Sequence, residues 1–244
     1  MNPIIPDWPA PAAIRAACST REGGISQGRF AGLNIGRSSG DDSDNVSENR
    51  RLLFAALKLP QTPDWIHQVH GSRVVRVPHE PAEPDADAAW TDRPGVVCAV
   101  QAADCLPVLF CDLDATVVAA AHAGWRGLSG GVLENTVAAL PVPPSRLIAW
   151  LGPAIGPDAF EVGDDVRNAF VAVDADAAKN FRPTGTPGKH RADLFALARQ
   201  RLAVAGVTQV HGGGICTYSD PARFYSFRRD GICGRMVATI WIAR

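Results

Sequence analysis

Apolar residues run through this chain in short blocks, and the spacing of the blocks changes along its length. Residues 96–100, 108–111 and 117–121 are almost wholly apolar and are separated by turn-like residues. Unbroken apolar runs of this length predict strands of a sheet covered on both faces. Residues 74–77, 147–151, 207–210 and 236–241 predict further strands, rich in β-branched and aromatic side chains. Helical spacing appears elsewhere. Residues 44–59 place Val46, Leu53, Ala56 and Leu57 along an apolar face, with Ser43 as the cap and Pro60 as the stop. Residues 128–140 follow a glycine turn and put Leu133, Val137 and Leu140 on one side. Residues 164–173 carry acids in the first turn, where the helix dipole favours them. Residues 193–205 read as a helix capped by Asp193 and ended by Gly206.

Several predicted strands follow one another with no helix between them. That order predicts an α+β fold with a mixed sheet, not a doubly wound βαβ fold. No repeat, low-complexity tract or long linker divides the chain, so residues 1–244 are expected to form a single domain.

Charge narrows the function. The net charge is −1 over 244 residues, which leaves no basic footprint for nucleic acid or an anionic membrane. No apolar run approaches the roughly 20 residues that span a bilayer. The first residues lack a basic end and an apolar signal core, so a cytoplasmic location is expected. The six cysteines should then stay reduced unless they bind metal, and none forms a C-x-x-C pair. Cys98 and Cys111 sit in apolar strands and are expected in the core. No dinucleotide fingerprint or Walker A string is present, and Gly212-Gly213-Gly214 reads as a turn.

Three separated residues suggest chemistry: His70 before Gly71, Cys105 between Asp104 and Leu106-Pro107, and His122 before Ala123-Gly124. Each sits where a loop meets a strand. Two imidazoles and a thiolate make a three-donor shell that leaves a position for water or substrate. Zinc so held remains an electrophile and lowers the pKa of bound water. The same donors suit a blue-copper site, which adds a weak axial ligand. Yet the methionines are only Met1 and Met236, and the six histidines include no His-x-His pair. A Cys105–His122 nucleophile pair without metal is the third reading. Arginines form a second set: Arg21, Arg50, Arg126, Arg228 and Arg229. Arginine is the preferred bidentate partner of phosphate or carboxylate. Trp125 and Phe227 lie beside arginines and could stack on a base or pack in the core.

These residues lie in strings that resemble the YfiH-type family, also called the laccase-domain or multicopper polyphenol oxidase family. The strings are Thr20-Arg21-Glu22-Gly23-Gly24-Ile25-Ser26, Leu33-Asn34-Ile35-Gly36, Glu48-Asn49-Arg50 and Gln68-Val69-His70-Gly71. Further along come Ala103-Asp104-Cys105-Leu106-Pro107, His122-Ala123-Gly124-Trp125-Arg126-Gly127, 151–156 and 224–231. The resemblance implies an α/β-β-α layered domain with a mixed β-sandwich core, and zinc on His70, Cys105 and His122. It implies phosphate-dependent cleavage of adenosine, inosine, guanosine and methylthioadenosine, and a link to adenosine deamination. Older naming implies copper-dependent oxidation of phenols, and some members are linked to peptidoglycan editing, which would suit a Cys/His hydrolase. The His-x-Glu with Pro-Cys-x-x-Cys signature of zinc deaminases is absent. On this reading Asp104 carries a proton, and Arg21, Arg50 and Arg126 hold phosphate or substrate. Asn34, Gln68 and Arg228 are expected to line the substrate pocket. The partners expected are a purine nucleoside and inorganic phosphate.

Overall fold

The computed structural model describes residues 1–79 and 83–243. Chain order begins β1 (Ile14–Cys18), α1 (Ser43–Leu57), β2 (Val74–Arg76), β3 (Ala88–Thr91), β4 (Val97–Ala102) and β5 (Leu106–Asp112). Then come β6 (Val118–Ala123), α2 (Trp125–Ser129), α3 (Val132–Ala139), β7 (Leu147–Leu151), β8 (Glu161–Gly163) and α4 (Asp164–Val171). The order ends β9 (Phe181–Pro183), β10 (Lys189–Ala192), α5 (Leu194–Val204), β11 (Gln209–Gly212), α6 (Phe227–Asp230) and β12 (Met236–Ile242).

Six strands form a mixed sheet in the order β11-β7-β5-β6-β3-β2. The outer pairs β11/β7 and β2/β3 are parallel, and the inner pairs are antiparallel. An antiparallel sheet, β1-β12-β4, lies against it, and β8-β10-β9 makes a smaller third sheet.

Side-chain alternation explains the layering. Leu106, Val108 and Phe110 of β5 join the core with Leu128, Leu133, Leu194, Leu197 and Leu202 of the helices. Their neighbours Leu109 and Cys111 join a second core with Cys98, Val100, Ala238 and Ile240 of the other sheet. Successive strand residues point to opposite faces, so a strand between two apolar layers must be apolar throughout. Each fully buried Leu or Phe contributes about 1.5–3 kcal/mol relative to exposure. The second sheet has its own outer face, where Ala99 and Val237 meet Leu33, Ile35 and Leu53 of α1. Helices, sheet, sheet and helix are therefore stacked in turn, as the α+β layered-sandwich expectation required.

Local boundaries differ from the expected ones for visible reasons. The cap of α1 is Asp42, not Ser43: its Oδ1 accepts from Asp44 N at 2.8 Å and Asn45 N at 3.2 Å. The expected helix over 128–140 is broken. Gly131 takes φ 90°, so α2 ends and α3 begins across it. The cap at Asp193 holds, accepting from Ala196 N at 3.0 Å. β1, β3 and the small third sheet were not anticipated, being short or carrying mixed polarity. All six cysteines are free. Cys98 and Cys111 are fully buried, and burial pushes both thiols up. Among the described residues no helix is long and apolar enough to cross a membrane.

Candidate metal centre

His122 lies near the end of β6, two residues beyond Ala120 and four beyond Val118, both of which face the inter-sheet core. The period of two puts the imidazole on that same face. Cys105 sits in the turn from β4 to β5, and His70 in the loop before β2. One ligand atom from each of the three residues falls within 4.8 Å of the other two. Cys105 Sγ is 3.9 Å from His70 Nε2, and the two imidazole rings are 4.9 Å apart at their centroids, edge to face. Tetrahedral zinc with ordinary bond lengths holds such atoms about 3.4–3.6 Å apart. A small inward movement brings these three to that spacing, so the donor set fits a metal ion.

The loop geometry is set by Asp87, which has no exposure. Its Oδ1 lies 2.9 Å from His122 Nδ1 and accepts from His70 N at 3.0 Å. Its Oδ2 accepts from Gly71 N at 2.6 Å and Val69 N at 3.2 Å. His122 N donates in turn to the Asp87 carbonyl at 2.7 Å. One carboxylate thus orients both histidines and supports His70 at φ 60°, a backbone region that needs such support.

Glycines give the required clearance. A Cβ on Gly124 would come within 2.9 Å of Cys105 Sγ and 3.2 Å of the His70 ring. A Cβ on Gly127 would come within 2.7 Å of the Gly71 carbonyl. The string from His122 to Gly127 therefore supplies one donor and admits the two segments that bring the others.

Burial works against charge on Cys105, yet the facing His122 and His70 hold its thiol down at about 6. Burial likewise opposes charge on His122, but Cys105 and Asp87 lift it to about 9. For Asp87, burial pushes up while His122 and the amides of Gly71 and Val69 hold the carboxyl below its ordinary value. Near neutral pH the free site holds a thiolate, the form that binds metal.

The three donors open onto a cavity of about 530 Å³, a size suited to a small organic ligand. Gln68, Arg50, Asp104 and Arg228 also line it. Gln68 is engaged at both ends of its amide, donating to Gln101 O at 2.8 Å and accepting from Gln101 N at 2.7 Å. It ties the His70 loop to β4. Arg228 donates from Nη1 to Glu161 O at 2.6 Å, and its guanidinium lies 5.3 Å from the centre of the Phe160 ring.

The remaining expected residues are placed differently. Asp104 Oδ1 accepts from Thr217 Oγ1 at 2.6 Å, and Oδ2 accepts from Ser226 Oγ at 2.9 Å and Arg228 N at 2.7 Å. A carboxylate occupied by three donors anchors the chain next to Cys105, while the residue also lines the cavity. Arg126 is exposed, lies 4.4 Å over the ring of its neighbour Trp125, and is not part of the cavity wall. Arg21 donates to Pro221 O and Ala31 O and covers the Tyr225 ring at 4.6 Å, likewise away from the wall. Asn34 is fully buried, and its side chain bonds to Ser39, Asp41 and the amides of Gly36 and Arg235.

Sequence reasoning missed Asp87, Arg37, Arg235 and Phe160. Asp87 carried a faint signal, as an acid at the head of the apolar run Ala88-Ala89-Trp90. The other three carried none, because only the fold brings them to the wall.

The family model described as multi-copper polyphenol oxidoreductase laccase matches residues 15–243. A purine nucleoside phosphorylase of Pseudomonas aeruginosa is 54% identical over 243 residues, with 98% of each chain covered. The Escherichia coli purine nucleoside phosphorylase YfiH is 53% identical over 240 residues, again with 98% of each covered. Among solved structures, the Neisseria meningitidis protein NMB0706 is 48% identical and superposes with a TM-score of 0.96 over 100% of both chains.

Proposed function

The chain belongs to the multi-copper polyphenol oxidoreductase laccase family, and from that premise we propose that it is a zinc-dependent purine nucleoside phosphorylase. Its relatives of about half-identical sequence carry the name purine nucleoside phosphorylase. Adenosine, inosine, guanosine and methylthioadenosine are the substrates, with inorganic phosphate as co-substrate. The observation that carries this reading is the His70–Cys105–His122 set opening onto a cavity walled by arginines and aromatic rings.

In phosphorolysis a phosphate oxygen forms a bond to C1′ of the sugar. The C1′–N9 bond breaks, its electron pair leaves with the purine, and the purine takes a proton. The products are the base and ribose 1-phosphate. Zinc on the three donors would supply Lewis acidity toward a substrate oxygen. The chain's own groups do the positioning. Phe160 and Phe227 line the cavity beside Arg228 and offer faces for a purine. The arginines of the wall counter the charge of phosphate. Asp104 and Asp87 are already engaged by donors, so the proton for the leaving base comes from solvent or from phosphate itself.

The donors support zinc over copper. Among the described residues one group of three donors has metal-binding geometry, where a multicopper cluster needs several. Met236 accepts from Tyr225 N at 3.3 Å and does not line the cavity, so it does not act as an axial ligand. Adenosine deamination is a second activity of the same centre and shares its metal.

The test is product analysis. Metal-defined protein is incubated with adenosine, with and without inorganic phosphate. Adenine and ribose 1-phosphate, formed only with phosphate, support the reading. Free ribose would make the protein a hydrolase, and inosine alone a deaminase. Oxygen uptake with a phenol, restored by copper and not by zinc, would replace the reading with the oxidase.

A further inference from the structure

Two motif strings contribute nothing to the metal donors: Leu33-Asn34-Ile35-Gly36 and Glu48-Asn49-Arg50. Both converge on the part of the cavity wall that holds Gly36, Arg37, Arg50 and Arg235. Arg50 is only 6% exposed. Its Nε donates to Ile35 O at 2.8 Å, and its guanidinium lies 4.0 Å over the Trp65 ring. Among the described residues no acceptor takes Nη1 or Nη2, and both belong to a side chain that lines the cavity. Arg235 directs Nη1 to the carbonyls of Cys233 and Gly234 at 2.8 and 3.1 Å. Among the described residues Arg37 pairs with Glu83, at 4.0 Å.

Among the described residues, Glu83 is the carboxylate that pairs with Arg37 and acts on Arg50. A buried cation without a close counter-ion is unfavourable, and among the described residues no carboxylate forms an ion pair with Arg50 or Arg235. Burial and the charge of Arg37 push the Arg50 guanidinium down to about 10. The protein nonetheless builds this corner with care. Asn34 Oδ1 accepts from Gly36 N at 3.0 Å and Arg235 N at 2.8 Å, and Nδ2 donates to Ser39 Oγ at 2.8 Å. Asn49 Nδ2 donates to Asn34 O at 2.9 Å. A Cβ on Gly36 would come within 2.6 Å of Arg235 Cγ, so a glycine is what lets that arginine lie there. A preorganised guanidinium fork with free terminal nitrogens is the arrangement that grips phosphate oxygens in pairs.

We infer that Arg37, Arg50 and Arg235 form the seat of a phosphate dianion, an assignment that rests on the phosphorylase reading above. Inorganic phosphate and the phosphate ester of a nucleotide share this chemistry. Asn34 and Gly36 are positioning residues that hold the seat and touch no ligand.

Calorimetric titration of the metal-loaded protein tests it, with inorganic phosphate in one arm and adenosine 5′-monophosphate in the other. Arg50→Gln should weaken the dianion by at least about tenfold. Arg37→Gln, at an exposed site that disturbs no core packing, should weaken it about threefold or more, and Glu83→Gln should strengthen it. Dependence on Arg50 in either arm upholds the seat and says which phosphate fills it. Wild-type affinity for both probes in R50Q and R37Q, with melting temperature retained, overturns the seat. If R50Q fails to fold, R37Q and E83Q decide alone, and unchanged affinity in both overturns it. Phosphate held by these arginines without cleavage of adenosine would remove the phosphorylase reading and keep the seat. Cleavage of adenosine with wild-type KM for phosphate in both variants would do the reverse.

Discussion

The carboxylate of Asp87 lies 2.9 Å from His122 Nδ1 and also receives the amide of His70 at 3.0 Å, so one buried group governs both imidazole donors. This fixes Nδ1 of His122 as the nitrogen turned to the protein and leaves Nε2 for the ion. It also explains how a loop and a strand separated in sequence arrive at one point without a direct bond between their side chains.

Asp87→Asn should lower zinc affinity by about 10- to 100-fold. The amide has one acceptor oxygen where the carboxylate has two, and its NH₂ faces donors. Competition with a chromophoric chelator measures the loss. Wild-type zinc affinity in the variant would remove Asp87 from its role.

Gly124→Ala should also impair metal uptake. The added methyl would press on Cys105 Sγ at 2.9 Å and the His70 ring at 3.2 Å, forcing apart the donors that must close. The strain should cost about 1–3 kcal/mol of stability. Zinc content by elemental analysis and a melting curve read the two effects, and full zinc occupancy would contradict the packing argument.

The free protein should show thiolate absorbance near pH 7 that disappears as pH falls through about 6, referenced against Cys105→Ser. The sign follows from a thiol held below its ordinary 9.0: the charged form persists above the lowered value and is lost beneath it. His122→Ala removes the nearest favourable charge and should move the transition upward. Zinc affinity should fall with acid from about pH 9 downward, because His122, lifted to about 9, must give up its proton to bind, and more steeply below about 6, where Cys105 gains one too. A transition that ignored the H122A change would refute the coupling.

Asp104→Asn should destabilise the fold by about 1–3 kcal/mol, since a buried acceptor with three donors is replaced by one that cannot satisfy them all. The pH profile of turnover should keep its wild-type limbs. Loss of one limb would identify Asp104 as a proton carrier.

How much of this was legible beforehand depends on the kind of signal. His70, Cys105 and His122 could be chosen because donor chemistry is rare and glycine-flanked strings marked them. β5, β6 and β7 could be read because burial on both faces leaves an unbroken apolar run. The break between α2 and α3 was hidden, because helical spacing continues across Gly131 while the backbone does not. Arginines were the hardest to assign. Arg21 and Arg50 look alike in sequence, yet Arg21 bonds to carbonyls outside the cavity wall and Arg50 lines it. Composition cannot separate them, since the difference lies in which long-range neighbours the fold supplies.

β12 is the middle strand of the second sheet, and β1 and β4 are joined only through it. While the polypeptide is being synthesised, those two strands therefore wait with bare edges, since their shared partner follows almost the whole of the intervening sequence. Unpaired edges of this kind recruit neighbouring chains. The layer that backs His122 is thus the last to close, and overexpression at high temperature should send this protein into aggregates through β1 and β4 before any ligand can rescue it.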